Sequence, residues 1–288
     1  MHQDIATAVP REGQMTPTIA LLTDFGLGST FVGVMKGVIL RIAPRAQLID
    51  LTHAVPPQDI ATGMWDLEFS HRYFPAGTVF VCVVDPGVGS ERVPIALHAG
   101  DWYFVGPDNG LFSTILQRQT IHAAVALTNP EYQLARVSAT FQGRDLFAPA
   151  GAYLAAGVPL REFGTFLDPQ QLQRLAIEPP LVVGKNIQGQ VIHKDQYGNL
   201  ISNIPTSLLP AGELFFTQPG IRLFLPRRQE IIEQRRRYFA EQPARQQTHN
   251  EPFLYIDSTD YLAIAVQNGS AAATLGIDVG EPITLSLS

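Results

Sequence analysis

The residues best suited to chemistry in this chain are acidic side chains placed directly after apolar, β-rich runs. Val79–Val84 reads VFVCVV, and Asp85 follows it in the segment DPGVGSER, which ends on Arg92. Thr18–Thr23 reads TIALLT, and Asp24 follows it in DFGLG. A carboxylate at the carboxyl end of a buried strand lies where open α/β sheets bind ligands. It accepts two hydrogen bonds side by side, so Asp24 suits the vicinal hydroxyls of a ribose. An aspartate beside an arginine, as with Asp85 and Arg92, can hold and polarise a water. Each has a plainer reading as well. Asp85 can close its own turn, and Asp24 can cap the helix that follows it. His53, in the loop after the next strand, has the ordinary structural role of a lone histidine as its first reading. Arg144 and Asp145 are adjacent in QGRD and read as a structural ion pair.

These residues need a scaffold, and the apolar pattern describes one. Val79–Val84 is a continuous apolar run, as expected of a central strand covered on both faces. Thr18–Thr23, Gln47–Leu51, Val93–Leu97, Trp102–Val105 and Ala123–Leu127 read as further strands. Helices are expected over Phe31–Ile42, Asp59–Phe69, around Phe112–Leu116 and over Leu146–Ala156. In the second of these Ile60, Met64 and Leu67 share one face. Strands alternating with helices imply a mainly parallel sheet with helices on both faces, an α/β domain over residues 18–176. From residue 177 to 288 the pattern changes to strands and turns, which implies a smaller β-barrel-like domain. Its expected strands are Asn186–Lys194, Leu200–Ile204, Leu214–Phe216, Ile221–Leu225, Phe253–Ile256, Leu262–Val266 and Ile283–Leu287. A charged insertion over 227–250 interrupts them, with Gln229–Phe239 expected to be helical. Residues 1–17 read as a loose polar tail.

Composition narrows the function. The chain has 288 residues, 45% hydrophobic and 16% charged, with a net charge of -6. The acidic balance argues against a nucleic-acid partner, which needs a basic face. The single cysteine, Cys82, excludes an internal disulfide and any multi-cysteine metal site; inside its apolar strand it reads as a packed thiol. No apolar run reaches membrane-spanning length, and the N-terminal segment lacks the apolar core of a signal peptide, so a cytoplasmic protein with no membrane partner is expected. No G-x-S-x-G elbow, P-loop or H-E-x-x-H motif is present, and the scattered histidines give no support to a zinc site. The DFG triplet lacks the other parts of a kinase. The residues themselves lead to a two-domain α/β ligand-binding protein whose strand-end carboxylates suit a hydroxylated, cationic small molecule bound without a metal.

Six short motifs occur together and in order: TDFG at Thr23–Gly26, DPGVG-x-x-R at Asp85–Arg92, PDNG at Pro107–Gly110, F-x-GRD-x-F at Phe141–Phe147, YGN at Tyr197–Asn199 and NGSAA at Asn268–Ala272. The set resembles the S-adenosylmethionine (SAM) hydrolases, or SAM hydroxide adenosyltransferases, relatives of the SAM-dependent fluorinase and chlorinase. The resemblance runs from about Thr18 to the C-terminus. It implies a seven-stranded N-terminal domain, a homotrimer, and SAM bound between one subunit's N-terminal domain and a neighbour's C-terminal domain. SAM is then the substrate, adenosine and L-methionine the products, and no cofactor is used. By the same resemblance Asp24 binds the ribose diol, with Phe141 beside the substrate. Asp195, Tyr197 and Asn199 contact methionine or adenine, Ser258 lies near the methionine carboxylate, and Asn268, Ser270 and Ala271 line the substrate site.

Within that family the hydrolases resemble one another in having Asp and Arg at the central turn, here Asp85 and Arg92, and a His before GRD. The halogenases have Tyr in place of the Asp. This chain follows the hydrolases except at Gln142, which stands where the His is expected. Sulfonium cleavage expels neutral methionine, so no acid is needed; the water must be desolvated, aligned and relieved of a proton. Glutamine hydrogen-bonds but cannot titrate, and loss of a proton-transfer group costs about two to four orders of magnitude in rate. Slow SAM hydrolysis with Asp85, Arg92 and Gln142 at the reaction centre is the expectation. A halide adenosyltransferase is one alternative, which Asp85 disfavours by repelling an anion. A non-catalytic SAM- or adenosine-binding protein is another, motivated by Gln142.

Overall fold

The computed structural model describes residues 16–241 and 251–287. Most of the tail expected over 1–17, and residues 242–250 of the charged insertion, lie outside the described residues. The chain divides into two compact units, one ending at Ile177 and the other beginning at Glu178.

The first unit is built on six strands: β1 (Thr18–Thr23), β2 (Gln47–Thr52), β3 (Val79–Val83), β4 (Pro94–Ala99), β5 (Trp102–Pro107) and β6 (Ile121–Ala126). Their order across the sheet is β2-β1-β3-β5-β4-β6. The pairings of β1 with β2, β1 with β3 and β3 with β5 are parallel, and β4 pairs antiparallel with β5 and β6. The sheet is mainly parallel, with six strands among the described residues rather than seven. The segment at Phe166 makes only an isolated antiparallel bridge to Val125.

Side chains alternate across a strand, and β3 shows what the alternation does here. Val79, Val81 and Val83 pack into one core with Met35, Ile39, Leu146 and Ala150. Phe80, Cys82 and Val84 pack into the other with Leu67, Phe104 and Phe112. The first core is covered by α1 (Phe31–Ile42) and α4 (Ala148–Ala155), the second by α2 (Ile60–Ser70) and α3 (Ser113–Arg118). Cys82 is fully buried, and that burial pushes its thiol far above the ordinary range, so it is a packing group. Gly151 lets α4 lie directly on β3, because a Cβ there would stand 2.4 Å from Val81 Cγ2. A π-helical turn, Gly143–Phe147, leads into α4.

The second unit is an antiparallel sheet of eight strands in the order β11-β10-β14-β8-β9-β13-β12, with β7 paired to β8. The strands are β7 (Leu181–Val183), β8 (Asn186–Lys194), β9 (Leu200–Pro205), β10 (Ile221–Leu225), β11 (Glu230–Ile232), β12 (Phe253–Ile256), β13 (Tyr261–Ala265) and β14 (Pro282–Leu287), with short helices α5 (Glu213–Thr217) and α6 (Ala271–Leu275). One core gathers Ile187, Leu200, Leu223, Leu254, Ile264 and Leu285 from most of these strands.

Two expectations are corrected here. Gln229–Phe239 is not helical. It forms β11 and then runs beside β12, where Arg236 N–H donates to Leu254 O at 2.9 Å and Leu254 N–H to Gln234 O at 2.8 Å. These bonds join the two ends of the sheet and nearly close it into a barrel; pairing with a sheet edge outweighs the helical bias of a Gln/Glu/Arg-rich segment. Leu214–Phe216 is not a strand but the middle of α5, which buries Phe215 and leaves Leu214 exposed. A short apolar run does not by its period separate strand from helix.

Candidate active site

The first unit gathers its polar residues at the carboxyl ends of β1 and β3. Beyond β3 the chain passes through buried Val84 to Asp85 and turns, with Val88 N–H donating to Asp85 O at 3.3 Å and Ser90 N–H to Gly87 O at 3.0 Å. Gly89, at φ +80°, brings the turn against the neighbouring segment, since a Cβ there would stand 2.5 Å from Ala139 O. Asn109 fixes the same turn from the other side: its Nδ2 donates to Val84 O at 2.9 Å, and its Oδ1 accepts from Leu111 N–H at 3.2 Å.

The turn returns Arg92 to Asp85. Arg92 Nε donates to Asp85 Oδ1 at 2.9 Å, and Nη2 donates to Asp85 Oδ2, so the pair is bidentate. The side chains of Arg92 and Asp85 are only 9% and 5% exposed, and the guanidinium carbon lies 5.3 Å from the centre of the Phe147 ring. Arg92 Nη2 also donates to Gln142 Oε1. A guanidinium has no acceptor, so it must face the amide oxygen, which leaves the Gln142 NH2 group as a donor. Asp85, Arg92 and Gln142 therefore form one connected cluster.

Asp24 follows β1 by one residue. Its Oδ2 accepts from Gln58 N–H at 2.8 Å, and no donor among the described residues reaches its Oδ1. His53 is buried at the base of this turn. Its Nδ1 lies 2.8 Å from Thr23 Oγ1 and its Nε2 2.9 Å from Asp50 Oδ1. Lys36 Nζ donates to Asp50 Oδ2 at 2.6 Å. Burial alone would raise the Asp50 carboxyl, but the hydrogen bonds and charges of Lys36 and His53 outweigh it and hold it below the ordinary carboxylate range. Aromatic rings connect the Asp24 turn to the segment before Gly143: the Phe25 ring lies 6.1 Å from Phe141, and Phe141 lies 4.9 Å from Phe31. Arg144 and Asp145 pair with each other, and Asp145 Oδ2 also accepts from Ser138 N–H at 2.8 Å, so this pair is structural.

In the second unit, Asp195 organises the turn between β8 and β9. Its Oδ1 accepts from Tyr197 N–H and Asn199 N–H, both at 2.9 Å, and its Oδ2 from Asn199 Nδ2 at 2.7 Å. Tyr197 is held at the tip, and the residue is 69% exposed. Gly198 sits against Ser270, where a Cβ would lie 2.0 Å from Oγ, and its carbonyl accepts from Ala272 N–H at 3.0 Å. Ser270 caps α6 by accepting from Ala273 N–H at 3.1 Å. Asn268, at φ +56°, turns the chain out of β13, and buried Ala271 opens α6. The Asp195 turn and the start of α6 line a cleft of about 600 Å³ with Lys194, Ile277 and Asp278. Tyr255 lies behind the turn; burial, with Asp257 and Asp195 nearby, pushes its phenol well above the ordinary range.

Ser258 is the residue the fold sets apart. It lies in the exposed turn before β13, where Tyr261 pairs with Pro205 at the far end of β9, whereas Ile264 pairs with Leu200 next to Asn199. The length of β13 separates Ser258 from the Asn199 end, roughly 13 Å at the rise of an extended chain. Lys36, Asp50 and Gln58 support the Asp24 turn but carry no sequence signal of their own, since each acts through a neighbour that only the fold supplies. Among the described residues, no group of three or more His, Cys, Asp or Glu is placed to hold a metal ion, and no helix is long and apolar enough to cross a membrane.

An α/β unit with a carboxylate–guanidinium–amide cluster at its strand ends, joined in one chain to an antiparallel barrel-like unit, describes a class of small-molecule-binding α/β proteins. The chain belongs to the SAM hydroxide adenosyltransferase family: the model of that family's N-terminal domain matches residues 19–164 and the model of its C-terminal domain residues 189–284. An (R)-S-adenosyl-L-methionine hydrolase of Salinispora tropica is 38% identical over 275 residues, covering 94% of this chain and 98% of the hydrolase. A fluorinase of an Actinoplanes species is 29% identical over 296 residues, covering 94% and 97%. A crystal structure of an uncharacterized conserved protein from Thermotoga maritima superposes with a TM-score of 0.82 at 33% identity, over 93% of this chain and 99% of that one.

Proposed function

We propose that this protein is a SAM hydrolase. Water attacks C5′ of SAM, the C5′–S bond breaks with its electron pair passing to sulfur, and adenosine, L-methionine and one proton are released. The observation that carries this reading is the Asp85–Arg92–Gln142 cluster, in a chain whose hydrolase relatives share more of its sequence than the fluorinase does. Arg92 takes one hydrogen-bonding position on each oxygen of Asp85, and each oxygen keeps another for water. The water donates to Asp85 and accepts from the Gln142 NH2 group, which aligns its remaining lone pair. Gln142 positions without titrating, so the proton leaves through Asp85 or solvent. The carboxylate at the reaction centre also disfavours a halide nucleophile.

In the same proposal Asp24 receives the ribose diol beside Phe141. Asp195, Tyr197, Asn199, Asn268, Ser270 and Ala271 take adenine and methionine from a neighbouring copy in a homotrimer, while Ser258, at the far end of β13, stands outside this set. The site uses no metal or cofactor, SAM being the substrate, and the enzyme works in the cytoplasm without nucleic-acid or membrane partners. Chromatography of SAM incubated with the purified protein should reveal adenosine and methionine in equal amounts. Asp85→Asn should nearly abolish both. Absence of adenosine at high enzyme concentration would sink the reading, and a halide-dependent 5′-halo-adenosine would replace it. If the site lies between copies, mixing inactive Asp85→Asn and Asn199→Ala proteins through unfolding and refolding restores activity; an inactive mixture of correctly assembled oligomers argues against it.

A further inference from the structure

Asp24 lies in an open turn with a single donor among the described residues on its carboxylate, yet a carboxylate that receives two adjacent hydroxyls must be held at a fixed angle. The tethers on this turn come from the loop that follows β2. Gln58 N–H takes Oδ2. His53 holds the residues on either side: its carbonyl accepts from Gly26 N–H at 2.8 Å, and its ring meets Thr23 Oγ1, which in turn accepts from Phe25 N–H at 3.2 Å. A carboxylate can only accept, so Nε2 donates to Asp50 Oδ1, while Nδ1 shares a hydrogen bond with the Thr23 hydroxyl. Lys36, from α1, closes the chain on the other Asp50 oxygen. The His53 side chain is 2% exposed, while those of Asp50 and Lys36 are 42% and 31% exposed, so the chain runs from the surface to the base of the Asp24 turn.

We infer that His53 is a positioning residue for diol recognition: the Lys36–Asp50–His53–Thr23 chain fixes the angle of Asp24 and so sets the preference for a ribonucleoside over its 2′-deoxy counterpart. The inference rests on the reading of Asp24 as the ribose contact. His53 lies behind Asp24 and acts through the backbone of its turn. Both hydroxyl contacts depend on one carboxylate angle, so loosening that angle should weaken the ribonucleoside selectively.

Calorimetric binding of adenosine and 2′-deoxyadenosine to the full chain tests this without turnover. The wild type should prefer adenosine by roughly ten- to a hundredfold, as expected for one hydrogen bond to a charged acceptor. Asp24→Asn sets the floor. His53→Leu should bring the preference to near parity while leaving the deoxynucleoside affinity unchanged, and His53→Gln, which keeps one hydrogen bond, should recover part of it. Asp50→Asn, at a half-exposed position, applies the same test if His53→Leu fails to fold. A preference equal to the wild type's, or a parallel loss of both nucleosides, overturns the inference and leaves SAM hydrolysis standing. A wild-type protein that binds neither nucleoside overturns the functional reading and this inference with it.

Discussion

Replacing Arg92 by Met tests the central cluster most directly, because it removes the cation while keeping much of the side-chain volume over Phe147. Asp85 then remains at 5% exposure without its two charge-assisted hydrogen bonds, and Gln142 Oε1 loses its donor. Removing one partner of a nearly buried pair costs about 3–5 kcal/mol, most of it from the charge left behind. In a unit of this size that is a drop of roughly 10 °C in melting temperature. Asp85→Asn should cost less, since it removes the charge and strands a guanidinium that still reaches Gln142. The double variant Asp85→Asn/Arg92→Met has no unpaired charge and should lie within about 1 kcal/mol of wild type. Urea unfolding of the four proteins closes the cycle, with an expected coupling of about 2 kcal/mol or more. SAM turnover in the same proteins should behave differently, staying at least about a hundredfold down in both single variants and in the double. Additive stability changes, or wild-type turnover in Arg92→Met, would refute the argument that this pair is a coupled, water-positioning unit.

Three further perturbations follow. Gln142→Leu removes the amide without touching Asp85 and should lower kcat for SAM hydrolysis with little change in KM, whereas a KM effect alone would place Gln142 in substrate binding. Gly89→Ala puts a Cβ at φ +80° and 2.5 Å from Ala139 O, so it should cost about 1–3 kcal/mol in urea unfolding and displace the catalytic turn; an unperturbed protein would show that the loop yields freely. Burial, with Asp59 nearby, pushes the Asp66 carboxyl up to about 6. Its protonated form is therefore favoured by folding, and the stability it contributes is full below the usual carboxylate pKa and lost as pH rises toward 6. Asp66→Asn should raise the melting temperature more at pH 7.5 than at pH 4; an equal gain at both contradicts the assignment.

The sequence by itself determined the sheet of the first unit, because Val79–Val84 is apolar at every position and only a strand covered on both faces uses such a run. It also placed Asp24 and Asp85 at strand ends, since the turns DFG and DPG mark where those strands stop. The motif set led to the family. Only the tertiary structure decided which polar residues meet. Arg92 returns to Asp85 because Gly89 lets the turn close against Ala139, and Gln142 joins them from a segment fifty residues away. His53 was legible as a structural histidine, but its partners Thr23, Asp50 and Lys36 come from two strands and a helix whose packing leaves no local trace. The segments misjudged from sequence, 214–216 and 229–239, share one cause: short runs take their conformation from the surface they meet, a helical turn burying Phe215 in one case and the open edge of β12 in the other.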